Sequence, residues 1–193
     1  SCARAERAAA LTLESGEFHE AILLGLAGVF GVFAGEVTVV LRQHFADGAA
    51  FIYHLAEGTS PALLDEYTDL RDNDCLAPGL AAIHATALQD DQFQQWGPKG
   101  GSVVWSPFSN VWLYRDTTDV AAARDAGLTV CLGSDWAPSG TKNLLGELKV
   151  ADLWNREHLD GAFSDRELVE MVTRNPATAV GWGERLGRVA PGL

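Results

Sequence analysis

From residue 50 onward, short apolar runs alternate with amphipathic segments. The apolar runs predict strands at Phe51–His54, Leu80–Thr86, Ser102–Ser106 and Leu128–Leu132. These runs are continuous rather than alternating, which is typical of strands that helices cover on both faces of a parallel sheet. Repeated strand–helix units of this kind favour an α/β fold, either a (β/α)8 barrel or a doubly wound sheet.

Helix start and stop signals fall between and after these strands. They predict helices at Ser60–Arg71, Asp90–Trp96, Thr118–Ala126, Asn143–Glu157, Ser164–Thr173 and Pro176–Gly181. Ser60-Pro61 combines an N-cap with proline in the first turn, and Ser164 with Glu167 forms a capping-box pattern. Gly127 is expected to stop the helix before it. The segment Ser106-Pro107-Phe108-Ser109-Asn110 is expected to be a polar loop.

Residues 1–49 carry less regular patterns. Ala3–Leu13 favours a helix, Ala21–Phe33 a core helix or a helix plus a strand, and Glu36–Leu41 a strand. Ala21–Phe33 is too short to span a bilayer and lacks the charged flank and the terminal position of a signal peptide. We therefore expect no membrane partner.

Composition narrows the class of protein. The chain has 193 residues, 47% of them hydrophobic, and a net charge of -12. The apolar content supports a real core, and the acidic balance argues against nucleic-acid binding, which needs clustered Lys and Arg. Three cysteines without dense spacing indicate no disulfide framework, so we expect a cytoplasmic protein. No Gly-x-Gly-x-x-Gly or P-loop pattern opens a predicted helix, which argues against a nucleotide-binding sheet.

Residues of a catalytic type follow three of the predicted strands. His54 ends the first strand with Glu57 three residues later, His84 lies in the second, and Asp135 follows the fourth. A neutral imidazole is a good ligand for zinc or iron, and a nearby carboxylate can carry a proton from water to a leaving group. Because parallel strands end at one mouth, we expect these side chains to converge there.

Each residue also has a purely structural interpretation. His54 and Glu57 are consistent with polar residues at a strand end, His84 with a core histidine, and Asp135 with a turn-forming residue. A doubly wound binding protein with a coincidental His-x-x-Glu is a further alternative. The combination of all four residues, with the polar loop Ser106–Asn110 at the same level, favours chemistry.

Taken together, these motifs resemble the second half of an amidohydrolase-superfamily (β/α)8 barrel, in the branch of cytosine and guanine deaminases and triazine chlorohydrolases. His54-Leu-Ala-Glu57 matches the fifth strand, His84 the sixth, Ser106–Asn110 the segment after the seventh, and Leu132-Gly-Ser-Asp135 the eighth. The tail is similar to the family's closing segment, at Thr173–Gly181 and Leu186–Gly192. The resemblance implies a TIM-barrel-type fold, with residues 1–49 as a residual N-terminal barrel segment and 50–193 as the C-terminal half.

The resemblance also implies roles for the polar residues. His54 would bind a divalent metal, with zinc preferred over iron. Asp135 would bind the same metal and accept a proton from the attacking water. Glu57 would shuttle protons to the substrate or leaving group, and His84 would polarise or hydrogen-bond the substrate.

A pocket beside this metal is part of the same expectation. Ser109, Asn110 and Trp136 would line it, and an aromatic wall suits a planar substrate. The implied enzyme is a metal-dependent hydrolase that displaces an amine or similar leaving group from a small cyclic or heteroaromatic substrate by metal-activated water. The alternative is a non-catalytic fragment or relic of this fold that acts as a binding or assembly module; homo-oligomers are compatible with either.

The chain departs from the family pattern at its N-terminal side. The family's first strand ends in His-x-His, and no such pair occurs among the histidines here, which are His19, His44, His54, His84 and His158. A full barrel takes about 250 residues, so the first strands and the flanking β-rich domain are expected to be largely missing. A fragment, a chain with stretches missing and a half-barrel that pairs with another chain all fit this pattern. The open strand edges of a half-barrel favour the first two.

Overall fold

The sheet at the centre of the fold has four parallel strands. A computed structural model describes residues 50–191, and the strands are β1 (Phe51–Leu55), β2 (Leu80–His84), β3 (Ser102–Trp105) and β4 (Thr129–Leu132). Their spatial order, β1-β2-β3-β4, is their order along the chain, and every pair is parallel. A doubly wound sheet reverses its strand order at a switch point, whereas a barrel wall adds strands in sequence. The predicted parallel α/β sheet is confirmed, and its order is that of a barrel wall.

Helices connect the strands and follow the last one. They are α1 (Leu64–Asp72), α2 (Asp90–Trp96), α3 (Pro107–Tyr114), α4 (Val120–Asp125), α5 (Leu144–His158), α6 (Asp165–Glu170) and α7 (Arg174–Ala179), with 3-10 turns at Pro61–Leu63 and Gly97–Lys99. The predictions made for Ala3–Leu13, Ala21–Phe33 and Glu36–Leu41 lie outside the described residues. Within residues 50–191, no helix combines the length and the apolar character that a bilayer crossing requires.

The predicted helix signals are present as hydrogen bonds. Ser164 and Glu167 make both bonds of a capping box at the start of α6, and Asn143 caps α5 by accepting from the amide of Gly146 at 3.1 Å. Gly127 follows α4 with φ of +96°, the left-handed conformation expected of a helix stop. Local sequence therefore specifies the starts of α5 and α6 and the end of α4.

The prediction of a polar loop at Ser106–Asn110 is wrong. Ser106 is the N-cap of α3 and Pro107 is its first residue, the same signal that was recognised at Ser60-Pro61. Ser109 and Asn110 resemble loop residues but lie in the first turns of the helix, where both are fully buried. Their position on a helix fixes them against the neighbouring strand ends.

The two faces of β1 differ in burial. Phe51, Tyr53 and Leu55 are buried in the main apolar core, while Ile52 and His54, on the other face, are half-buried. The core fills the space between the sheet and its helices and includes Leu70, Leu80, Phe93, Trp96, Val103, Trp105 and Val120. Each such side chain contributes about 1.5–3 kcal/mol when removed from water. The core therefore holds the sheet rigid on one side and presents His54 on the other.

Candidate active site

The backbone adopts an uncommon conformation where the strands end. Ala56, His84, Ala85 and Asp135 all have φ between +49° and +65°. A non-glycine residue in this left-handed region costs about 1–2 kcal/mol. β2 therefore ends at His84 rather than at the predicted Thr86. Strain of this kind persists only where surrounding structure enforces it, and here it coincides with the polar residues that sequence singled out.

His54, Glu57 and His84 form a group that we call the histidine cluster. Each offers one ligand atom, and these atoms lie within 4.8 Å of one another. The two imidazole rings have centroids 5.4 Å apart and are tilted by 41°. His54 Nδ1 and His84 Nε2 are buried and have no hydrogen-bond partner; Nε2 lies 3.4 Å from Glu57 Oε1 without hydrogen-bond alignment. Buried nitrogens without partners are costly, so they mark a place where a ligand would be stabilised.

Burial keeps the His54 ring neutral. It lowers the pKa of His54, and the nearby His84 lowers it further, while Glu57 and Asp135 act in the opposite direction. Desolvation is the largest of these causes because a buried imidazolium loses its hydration. A neutral ring retains the lone pair that a metal requires.

A hydrogen-bond network fixes the tautomer of His84. Thr118 donates its single hydroxyl proton to the carbonyl of His84 at 2.5 Å, so it can only accept from the Asn110 amide at 3.2 Å. The amide of Asn110 is thereby oriented, and its Oδ1 faces His84 Nδ1 at 2.8 Å. Nδ1 must therefore carry a proton, and in the tautomer that this bond selects the lone pair is on Nε2. Nε2 points into the cluster as an acceptor, which is the state of a metal-ligating histidine.

Tyr114 is a site residue that sequence reasoning missed. Its hydroxyl donates to Glu57 Oε1 at 2.8 Å, and burial together with this bond raises the pKa of Tyr114. Tyr114 comes four residues after Asn110, so both lie on the same face of α3. Recognition of α3 in the sequence would have pointed to it.

A second missed residue, Glu66 on α1, supports the loop between His54 and Glu57. Its Oε2 accepts from the amide of Ala56 at 2.8 Å, the residue held at φ of +49°. Burial raises the pKa of Glu66, and the bond from Ala56 partly offsets this effect. Glu66 thus helps to enforce the strained turn that separates His54 from Glu57.

Asp135 belongs to a separate set of contacts, which we call the aspartate cluster: Asp135, Ser109 and Ser139. The Asp135 carboxylate accepts a short hydrogen bond from Ser109 Oγ, a longer one from Ser139 Oγ at 3.4 Å, and one from the amide of Trp136 at 2.8 Å. Asp135 is not among the grouped ligand atoms of the histidine cluster, although its charge acts on His54. Its role as a metal ligand stays a prediction.

The predicted pocket-lining residues occupy different environments. Ser109 and Asn110 are fully buried, and their polar atoms contact Asp135, His84, Thr117 and Thr118. Trp136 is 67% exposed. Contact of these residues with a substrate stays a prediction, and the observed bonds of Asn110 position His84.

The chemistry of the histidine cluster fits a divalent metal. Two imidazoles and one carboxylate are a recognised donor set for zinc and also suit iron. The unpartnered lone pair of His84 and the neutral ring of His54 supply the nitrogen donors. These residues could therefore hold a metal at the carboxyl ends of β1 and β2.

The sequence is similar to a known protein family. Residues 39–193 match the amidohydrolase family. A 5-methylthioadenosine/S-adenosylhomocysteine deaminase from Pyrococcus furiosus is 32% identical over 126 residues, covering 64% of this chain and 29% of that protein. The enzyme of the same name from Syntrophobacter fumaroxidans is 31% identical over 151 residues, covering 73% and 34%. The chain thus spans about a third of the length of these curated relatives.

Solved structures share the fold. An adenosine deaminase from Xanthomonas campestris with bound zinc superposes with a TM-score of 0.74 at 19% identity, covering 81% of this chain and 38% of that one. Atrazine chlorohydrolase from Arthrobacter aurescens, complexed with zinc, gives 0.69 at 19% identity, covering 82% and 37%. The family match extends over most of the chain, and the polar strand ends lie within it; the chain belongs to the amidohydrolase family.

Proposed function

We propose that this chain supplies His54, Glu57, His84 and Asp135 to the active site of a metal-dependent hydrolase. The reaction is displacement of an amine or similar leaving group from a carbon of a small cyclic substrate by water. The observation that carries the proposal is the histidine cluster, in which buried nitrogens without partners face a carboxylate at the ends of two parallel strands. Residues with these properties are typical of functional sites.

We assign metal binding to His54 and His84, with Glu57 beside them; contact of His84 with the substrate stays a prediction. Zinc is the preferred ion and iron the alternative, because both accept imidazole and carboxylate donors. When bound, such a metal lowers the pKa of a coordinated water toward about 7 and makes a nucleophile available at neutral pH. Asn110 contributes by holding His84 in the tautomer whose Nε2 is free to coordinate.

Proton transfer is assigned to the two carboxylates. Asp135 would accept a proton from the attacking water, and Ser109 and Ser139 hold it by hydrogen bonds near His54. Glu57 would pass a proton to the leaving group, and Tyr114 orients its Oε1. A carboxylate can act in this way only within hydrogen-bond reach of the reacting atoms, and the position of Glu57 beside His54 and His84 supports this role.

The substrate class is proposed from the relatives. Their names include deaminases of methylthioadenosine, S-adenosylhomocysteine, adenosine and guanine, and a chlorohydrolase of atrazine. For an amine, water adds its oxygen to the ring carbon, the carbon–nitrogen bond breaks, and ammonia leaves with the transferred proton. A cytoplasmic location and homo-oligomerisation stay predictions.

The test uses the purified full chain loaded with zinc and each of four probes: 5-methylthioadenosine, S-adenosylhomocysteine, adenosine and guanine. We expect ammonia release from at least one probe, loss of release in Glu57→Gln, and retention in the isosteric control Glu157→Gln, whose side chain is exposed on α5. Equal rates in the two variants would contradict the role of Glu57. Bound zinc without turnover of any probe would favour the alternative of a non-catalytic binding module.

A further inference from the structure

Glu147 is a fully buried carboxylate for which neither the sequence patterns nor the proposed reaction accounts. It lies in the first turn of α5 and has no exposed surface. Its Oε1 accepts from the amide of Thr141 at 3.0 Å, and its Oε2 accepts from the amide of Phe108 at 3.2 Å. Burial of a carboxylate is expensive unless its oxygens are hydrogen-bonded, so these bonds define where the side chain can lie.

The two amides belong to the two segments that carry the polar side chains of the site. Phe108 is the second residue of α3, where amides have no partner within the helix. The next two residues, Ser109 and Asn110, contact Asp135 and His84. Glu147, on α5, therefore caps the first turn of α3, which carries Ser109 and Asn110.

Thr141 is near the end of the loop from β4 to α5, residues 133–143, which carries Asp135. The loop is tightly folded: Gly140 donates to the carbonyl of Trp136 at 2.8 Å, and a Cβ on Gly140 would lie 1.7 Å from the carbonyl oxygen of Ser134. These contacts join the Thr141 end of the loop to the end that carries Asp135. Holding Thr141 therefore also holds Asp135.

We propose that Glu147 is a positioning residue that fastens the loop 133–143 to the start of α3 and so sets the contacts Ser109–Asp135 and Asn110–His84. The inference rests on the proposed function, because it assigns Glu147 a part in placing that site. One side chain can join the two segments because its two oxygens accept from different backbone amides, one in each segment. Glutamine in its place keeps one acceptor and turns an amide N–H toward the other backbone N–H.

Asn155 provides a matched control on the same helix. It is 3% exposed and also makes two backbone hydrogen bonds, accepting from the amide of Phe163 at 3.0 Å and donating to its carbonyl at 2.8 Å. Asn155→Asp is isosteric and removes one of the two bonds, as Glu147→Gln does. Both of these bonds are to Phe163, which lies before α6 and belongs to neither the histidine cluster nor the aspartate cluster. Each variant therefore removes one buried side-chain-to-backbone hydrogen bond of α5, Glu147 near the start of the helix and Asn155 in its second half.

The experiment compares hydrogen exchange of the His84 ring N–H by NMR in the metal-free full chain, with the signal assigned by its loss in His84→Asn. We expect each variant to lower the Tm by about 3–10 °C. In Glu147→Gln the ring proton should exchange at least about 10-fold faster, because loss of the cap loosens Asn110. In Asn155→Asp it should stay within about 2-fold of the wild type. If Glu147→Gln does not fold, Glu147→Asp, which shortens the reach of the same carboxylate, takes its place under the same expectations.

An equal Tm loss with unchanged exchange in both variants would overturn the proposal, since Glu147 would then be structural only. Faster exchange in both variants would also overturn it, because the effect would not be specific to Glu147. The readout needs neither metal nor substrate. A chain that binds no zinc and releases no ammonia would refute the proposed function while the ring exchange still decides the role of Glu147.

Discussion

The histidine cluster and the aspartate cluster lie at the same end of the sheet but differ in how their polar atoms are satisfied. In the histidine cluster, two buried ring nitrogens have no hydrogen-bond partner. In the aspartate cluster, the carboxylate of Asp135 accepts from two hydroxyls and one amide. One site is open to a ligand, and the other is closed by the protein's own donors.

This difference bears on the metal ligands, because the family resemblance makes both His54 and Asp135 ligands. A carboxylate that already accepts several hydrogen bonds must release some of them to bind a metal directly, whereas it can take up a proton in place. His54 and His84, in contrast, each have a buried ring nitrogen without a hydrogen-bond partner. The contrast supports the proposed division, in which the histidine cluster binds the metal and the aspartate cluster accepts the proton.

The largest expected effect is on metal binding by His54→Ala. Removal of a direct nitrogen donor should weaken zinc affinity by more than the roughly 10–100-fold typical of outer-shell changes. Isothermal titration of the full chain measures it, with His158→Ala as the control because His158 is exposed and stacks on Trp154. Equal zinc affinity in the two variants would show that the histidine cluster is not the metal site.

Asp135→Asn should separate turnover from metal binding. Loss of the proton acceptor is expected to lower the rate of ammonia release by about 10²–10⁴-fold, while zinc affinity falls by no more than the roughly 10–100-fold of a residue outside the direct ligands. Steady-state kinetics and zinc titration on the same preparation give both quantities. A loss of zinc affinity as large as that of His54→Ala would show that Asp135 is a ligand, as the family resemblance predicts.

Asn110→Ala tests the support of His84. Without the acceptor for Nδ1–H, the ring loses its fixed tautomer, and we expect zinc affinity to fall by about 10–100-fold. Asn175→Ala is the control, because it also removes an asparagine side-chain hydrogen bond, here the one that Asn175 on α7 donates to the carbonyl of Val130 at 2.8 Å. Similar zinc affinities of the two variants would mean that Asn110 does not prepare His84.

The smallest expected effect is on thermal stability, through the capping box of α6, which has no part in either cluster. Hydrogen bonds from Ser164 lower the pKa of Glu167, so its contribution to stability is complete above the ordinary glutamate pKa and is lost as the pH falls through the lowered one. Glu167→Gln should therefore lower the Tm at pH 7 by no more than about 3 °C, with the gap to wild type narrowing in acid. Thermal melts from pH 3 to 7 measure it; a gap that widens toward low pH would contradict the sign.

Much of the fold could be predicted because its signals are local. Apolar runs indicated all four strands within one or two residues at each end, and N-cap side chains marked α5 and α6. Helix α3 was not predicted, although Ser106-Pro107 is a helix-start signal. The reason is that serine and asparagine, as at Ser109 and Asn110, favour loops when they are exposed. Burial against the sheet overrides that preference.

The site itself was only partly predictable. His54, Glu57 and His84 stand at strand ends, so their convergence follows from parallel topology. Tyr114, Glu66 and Glu147 act through distances set by tertiary packing, and in the sequence they resemble ordinary helix residues. No local pattern distinguishes a buried glutamate that caps another helix from an exposed one.

The central claim, that His54, Glu57 and His84 form the metal centre, is tested most directly by anomalous diffraction from crystals of the full chain grown with zinc. The account predicts a single zinc peak in contact with a ring nitrogen of His54 and with Nε2 of His84, with Glu57 adjacent. A zinc peak held by other residues, or none at a zinc concentration that saturates binding in solution, would contradict it.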